Sequence, residues 1–160
     1  MAINHEFVGR QYPRTAPYQV SRAKISEFAR AVGSTNPACF QLEAARGCGF
    51  SDLVAPSTFA VIVAQQAEAQ YIEDPDARVD FSRVVHADER MTYSRPIVAG
   101  DDLVTELYVD KIVERGALAM VTTRCEVFSV PHQGTPDVTD GAGEHVVTVV
   151  STLAIRGEDA

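Results

Sequence analysis

Basic charge is scarce in this sequence: 14 Lys and Arg stand against 22 Asp and Glu in 160 residues, a formal charge of -8. No run of Lys or Arg exists that would release counterions from phosphates, so nucleic acid and anionic membrane are disfavoured as partners. Cysteine is sparse too. Cys39, Cys48 and Cys125 are an odd number at spacings that fit neither a zinc set nor a disulfide framework, which points to a reducing compartment. No apolar run of about 18 residues, no secretory leader pattern and no lipidation signal is visible, so the expectation is a cytoplasmic protein without a membrane span. No internal repeat is present, and the length, with 46% hydrophobic residues, suits one domain over residues 1–160.

What is there centres on Leu53 to Ile72, LVAPSTFAVIVAQQAEAQYI. Thr58 to Ala64 alone would pass for a buried strand, but strong helix formers continue to Gln70 without a breaker, and length decides for helix. Pro56 then sits near the first turn, where its missing N–H costs nothing. About fifteen residues from Ser57 would span roughly 22 Å. Ala60, Ala64 and Ala67 form a small-residue stripe, with Phe59, Ile62, Val63 and Tyr71 supplying bulk around it. The polar residues Gln65, Gln66, Glu68 and Gln70 come only in the second half, which makes the first half the expected deep end.

Downstream, a second long helix is missing. Val79 to Arg95, Asp102 to Arg115, Leu118 to Val130 and His145 to Arg156 are rich in Val, Thr, Tyr and Phe, with turn signals between them. One buried helix followed by consecutive strands predicts an α+β fold in which an antiparallel sheet curls around a long central helix, the hot-dog plan. In the first strand, Phe81, Arg83, Val85, Ala87, Glu89, Met91, Tyr93 and Arg95 alternate with Val84, His86, Asp88, Arg90, Thr92 and Ser94. Neither set is purely apolar, so a bulge partway along is expected.

Before the helix, Met1 to Tyr18 reads as irregular, anchored by Phe7, Val8 and Tyr12. Ser21 caps a short helix with inner face Ile25, Phe28, Ala29 and Val32 and a stop at Gly33. A second short helix is expected at Leu42 to Arg46. Pro131 to Gly143 reads as a flexible surface loop and Arg156 to Ala160 as a frayed tail. Asp101 and Asp102 read as turn residues.

Three stretches in order carry a resemblance: Gly33-Ser34-Thr35-Asn36-Pro37, then Leu53-Val54-Ala55-Pro56-Ser57-Thr58-Phe59, then Arg95-Pro96-Ile97-Val98-Ala99-Gly100-Asp101. The chain resembles the MaoC-like hot-dog dehydratases and (R)-specific enoyl hydratases over roughly Phe7 to Ile155, and within them the actinobacterial HadA-type subunits. The resemblance implies reversible loss of water from a (3R)-hydroxyacyl thioester carried on CoA or acyl carrier protein, with no further cofactor. In that family the Asp and His of Asp-x-Asn-Pro-x-His move the protons, and peptide N–H groups at the central helix stabilise charge on the thioester oxygen.

Position by position, the Asp place falls on Ser34 and the His place on Cys39, with Asn36 and Pro37 kept between them. Neither replacement titrates near neutrality as a carboxylate–imidazole pair does. At the helix entrance Pro56 has no N–H, leaving Ser57 to offer its backbone amide. Three functions stay open. One is a subunit silent alone that binds the acyl chain beside a catalytic MaoC-like partner; Ala60, Ala64 and Ala67 then line the acyl tunnel, unless they only let the sheet pack closely. The second is a self-sufficient homodimer using His86 and Asp88, i and i+2 on one strand face, as acid and base. The third is an acyl-thioester binding module without turnover. An open sheet edge implies side-by-side dimerisation, with itself or with a catalytic subunit.

Overall fold

The structure, a computed structural model, describes residues 3–132 and 143–157. Helices α1 (Arg22–Ala31), α2 (Leu42–Gly47) and α3 (Val61–Ile72) accompany strands β1 (Gln11–Tyr12), β2 (Tyr18–Gln19), β3 (Val84–Tyr93), β4 (Asp102–Arg115), β5 (Leu118–Val130) and β6 (Glu144–Arg156). The strands form one antiparallel sheet in the order β1-β4-β5-β6-β3, with β2 also on β4. This is the expected α+β hot-dog arrangement. α3 packs on the sheet through Ala60, Ala64, Ala67 and Tyr71, all at 0% exposure, against inward residues such as Leu103, Leu107, Val121, Val127, Val149 and Leu153.

Several boundaries differ from expectation. α3 starts at Val61, not Ser57, because Phe59 N–H bonds Pro56 O and Val61 N–H bonds Thr58 O, tight i to i+3 turns that precede the regular helix. Its 12 residues span about 18 Å. The first long strand starts at Val84, since Asp80 caps a 3-10 turn over Phe81–Arg83. The N-terminal arm is not wholly irregular: its two short strands cover the outer edge of β4, with Phe7 and Tyr12 buried. Val8, expected as an anchor, is 47% exposed, and Val32 is the exposed C-cap of α1 instead of an inner-face residue. Gly33 does stop α1, at φ 69°. Of the loop expected over Pro131 to Gly143, residues 133–142 lie outside the described residues, as do 158–160 of the tail. Among the described residues no helix is long and apolar enough to cross a membrane.

β3 contains the expected irregularity. His86 pairs with Leu153 and Asp88 with the adjacent Thr152, so a bulge between them reverses which residues face α3. His86, Glu89, Met91 and Tyr93 share the face turned toward the helix, and Asp88 is on the other.

Candidate functional site

Ser34 to Cys39 forms a turn built by its own side chains. Ser34 N–H bonds Ala29 O at 2.8 Å, closing off α1, and Asn36 Oδ1 accepts from Ala38 N–H at 3.0 Å, capping a 3-10 turn whose first residue is Pro37. Ser26 Oγ donates to Cys39 O at 3.0 Å and ties the turn back to α1. The Ser34 hydroxyl and Cys39 thiol lie 3.9 Å apart, and Cys39 is 1% exposed. The two positions that match the family's Asp and His are thus neighbours in space, and they carry a hydroxyl and a thiol.

The three motifs converge. Val54 N–H bonds Ala38 O, Ala55 N–H bonds Ile97 O and Ala99 N–H bonds Leu53 O, so the segment entering α3 is stitched between the Asn36 turn and the Arg95–Asp101 turn. Asp101, expected as a plain turn residue, is 8% exposed and organises that second turn: it takes a bidentate pair from Arg95 at 2.9 Å and accepts from Val98 N–H and Ser129 Oγ. On the other side, Arg22 makes a bidentate pair with Asp52 that holds the Asp52 carboxyl below its ordinary range.

At the helix entrance, neither the Ser57 nor the Thr58 amide has a backbone acceptor among the described residues. Two unpaired N–H groups at the start of a helix suit a developing oxyanion. Tyr93, which the sequence did not single out, donates its hydroxyl to Ser57 O at 2.6 Å, and burial pushes its pKa up to about 12. It locks β3 to the entrance as a neutral phenol.

The alternative pair does not assemble. The bulge places His86 and Asp88 on opposite faces of β3, which corrects the expectation that i, i+2 spacing puts them side by side. At Ala64, Cys125 Sγ approaches the backbone O at 3.8 Å, so there the alanine stripe serves close sheet–helix packing. The second half of α3 is also deeper than its polarity predicts. Glu68 is 3% exposed and accepts from Thr123 Oγ1 at 2.7 Å. Glu89, inward on β3, has its pKa raised, chiefly by burial and further by Glu68, while His86 opposes the shift. The parity switch at the bulge hid this pair. Among the described residues no group of three or more His, Cys, Asp or Glu could hold a metal.

Comparison with known proteins matches this architecture. The family model of the FAS1-like, dehydratase domain region covers residues 6–149. A UPF0336 protein of Clavibacter michiganensis is 47% identical over 160 residues, all of both chains, and one of Streptomyces coelicolor is 42% identical over 159 residues, 99% of both. Among solved structures, the HadBC (3R-hydroxyacyl-ACP dehydratase) complex of Mycobacterium tuberculosis is similar at 30% identity and TM-score 0.76, over 92% of this chain and 96% of that one. A MaoC-like dehydratase reaches TM-score 0.81 at 29% identity over 96% of this chain, which spans 43% of that larger protein. On the family model and these relatives, the chain belongs to the FAS1-like dehydratase family of MaoC-like hot-dog proteins.

Proposed function

We propose that this chain is the acyl-binding, catalytically silent subunit of a (3R)-hydroxyacyl-thioester dehydratase, assembled with a second hot-dog subunit that supplies Asp and His. The observation that carries the reading is the contact between Ser34 and Cys39: the turn keeps its Asn36 cap and its tie to α1, yet holds a hydroxyl and a thiol where proton transfer would occur. Moving a proton off C2 and delivering one to the departing hydroxyl at neutral pH needs groups that titrate near neutrality. This chain contributes the helix entrance, where the Ser57 amide faces no acceptor, and the inner face of β3 and α3 for the acyl chain. The thioester arrives on CoA or acyl carrier protein, and no further cofactor takes part. The similar HadBC structure is itself a complex, which supports a partner of the same fold. The homodimeric enzyme reading loses ground because His86 and Asp88 do not share a face.

The test is turnover. Alone, the purified chain is expected to leave crotonyl-CoA and longer enoyl-CoA unhydrated, and co-expression with a hot-dog subunit carrying Asp-x-Asn-Pro-x-His to give an active complex. Robust hydration by the chain alone, lost in His86→Ala, would replace this reading with the self-sufficient enzyme.

A further inference from the structure

Across the inner face of the sheet runs a row of polar side chains that neither the fold nor the turn chemistry uses. Thr123 on β5 pairs with Ser151 on β6, and Ser151 pairs with Glu89 on β3, so the three stand side by side facing α3 at strand spacings of about 4.8 Å. Glu68 comes down on this row from α3 and binds Thr123 Oγ1. That bond leaves two other members of the row without a partner. Ser151 is 1% exposed with its Oγ unpartnered, and the buried Oε1 of Glu89 is unpartnered as well. A buried donor–acceptor group left without a partner is costly, and a carboxylate more so, so such a row persists where something completes it.

Along β3 the row lies beyond the helix entrance. Tyr93 is anchored on Ser57 O, and Met91 lies between Tyr93 and Glu89 on the same face, flanked on β6 by Val147 and Val149. Strand rise puts Glu89 roughly 13 Å beyond Tyr93. An acyl chain with its thioester at the Ser57 amide and its hydrocarbon along Met91 therefore meets carboxylates at depth. A plain alkyl end there would leave Glu89 Oε1 and Ser151 Oγ without partners, whereas a hydroxyl matches both open valences, donating to Glu89 Oε1 and accepting from Ser151 Oγ.

Building on the acyl-binding reading, we propose that Glu89, Ser151 and Glu68 form a subsite for a hydroxyl group carried on the acyl chain, remote from its thioester. The substrate class is then acyl thioesters hydroxylated toward the far end. Among the described residues β3 has no strand on its outer side, so the subsite lies beside the edge at which a partner would dock.

The experiment is calorimetric titration of the complex between this chain and its catalytic subunit with decanoyl-, dodecanoyl- and tetradecanoyl-CoA and with the ω-hydroxy form of each. At the length that fits, the ω-hydroxy form is expected to bind about tenfold tighter than its unsubstituted partner, the scale of a hydrogen bond to a charged group. Glu89→Met, an apolar replacement of similar length, should reduce that preference to less than about twofold. Ser151→Ala should weaken it without disturbing the melting curve, and it decides the matter if Glu89→Met fails to fold. Equal binding of both forms at every length overturns the hydroxyl subsite and leaves the acyl-binding reading standing. A preference that survives both substitutions overturns it too, and binding of neither form removes the acyl-binding reading along with it.

Discussion

Ser34 and Cys39 occupy a turn whose backbone is held by partners outside the pair, Asn36 by its own cap and Cys39 by Ser26. That independence makes the two positions replaceable. In Ser34→Asp/Cys39→His a carboxylate and an imidazole stand within reach of each other, near the segment that enters α3 through the Val54–Ala38 bond. Positioned acid–base groups are worth about 10²- to 10⁴-fold, so the double variant is expected to hydrate crotonyl-CoA at least about tenfold faster than the parent, read from loss of enoyl absorbance. Each single variant should do far less, because both groups act on one transition state. Cys39 is buried, so the larger imidazole is expected to lower stability by about 1–3 kcal/mol. A double variant that folds and stays inert would show that the turn, or the Pro56–Ser57 entrance with its missing N–H, does not present a thioester to these positions.

At the scale of elements, the alanines of α3 lie where the helix packs on the sheet. Ala64 has no exposed surface and its carbonyl lies against Cys125, so a leucine there would press on the sheet packed over the helix. Ala64→Leu is expected to destabilise the chain by about 1–3 kcal/mol in denaturant unfolding. Unchanged stability with weakened acyl binding would instead make the stripe part of a tunnel. Local pattern was enough for much of this architecture. β4 and β5 fall where alternation and turn residues put them, and the Asn36–Pro37 turn was legible because its residues cap one another within a few positions. The start of α3 was not, since Ser57 to Ala60 are compatible with helix and only the i to i+3 bonds of the folded turn delay it. The polar row was hidden for a different reason. Glu89, Ser151 and Thr123 are far apart in sequence, and they become neighbours only through strand register and a bulge whose position alternation does not give.

For the whole molecule, the two sides of the sheet are treated unequally. The β4 side is covered by β1 and β2 from the N-terminal arm, while among the described residues β3 ends the sheet with no strand on its outer side. An uncovered edge strand is an invitation to pair, and natural monomers blunt it with bulges, charges or a covering loop. β3 has the bulge and several charged residues, yet next to them Val85 is 64% exposed and Phe81, just before the strand, is 73% exposed. Apolar side chains left out at the open edge fit a surface that is covered in the proposed assembly. Purified alone, the chain is therefore expected to run as a dimer or larger by light scattering at micromolar concentration. Phe81→Glu together with Val85→Lys alters only exposed side chains, so the fold should survive while the dissociation constant rises by on the order of tenfold or more, and the same variant should fail to capture a catalytic subunit on co-expression. A parent chain that is monomeric by itself and also captures its partner undiminished after both substitutions would place the assembly surface away from β3.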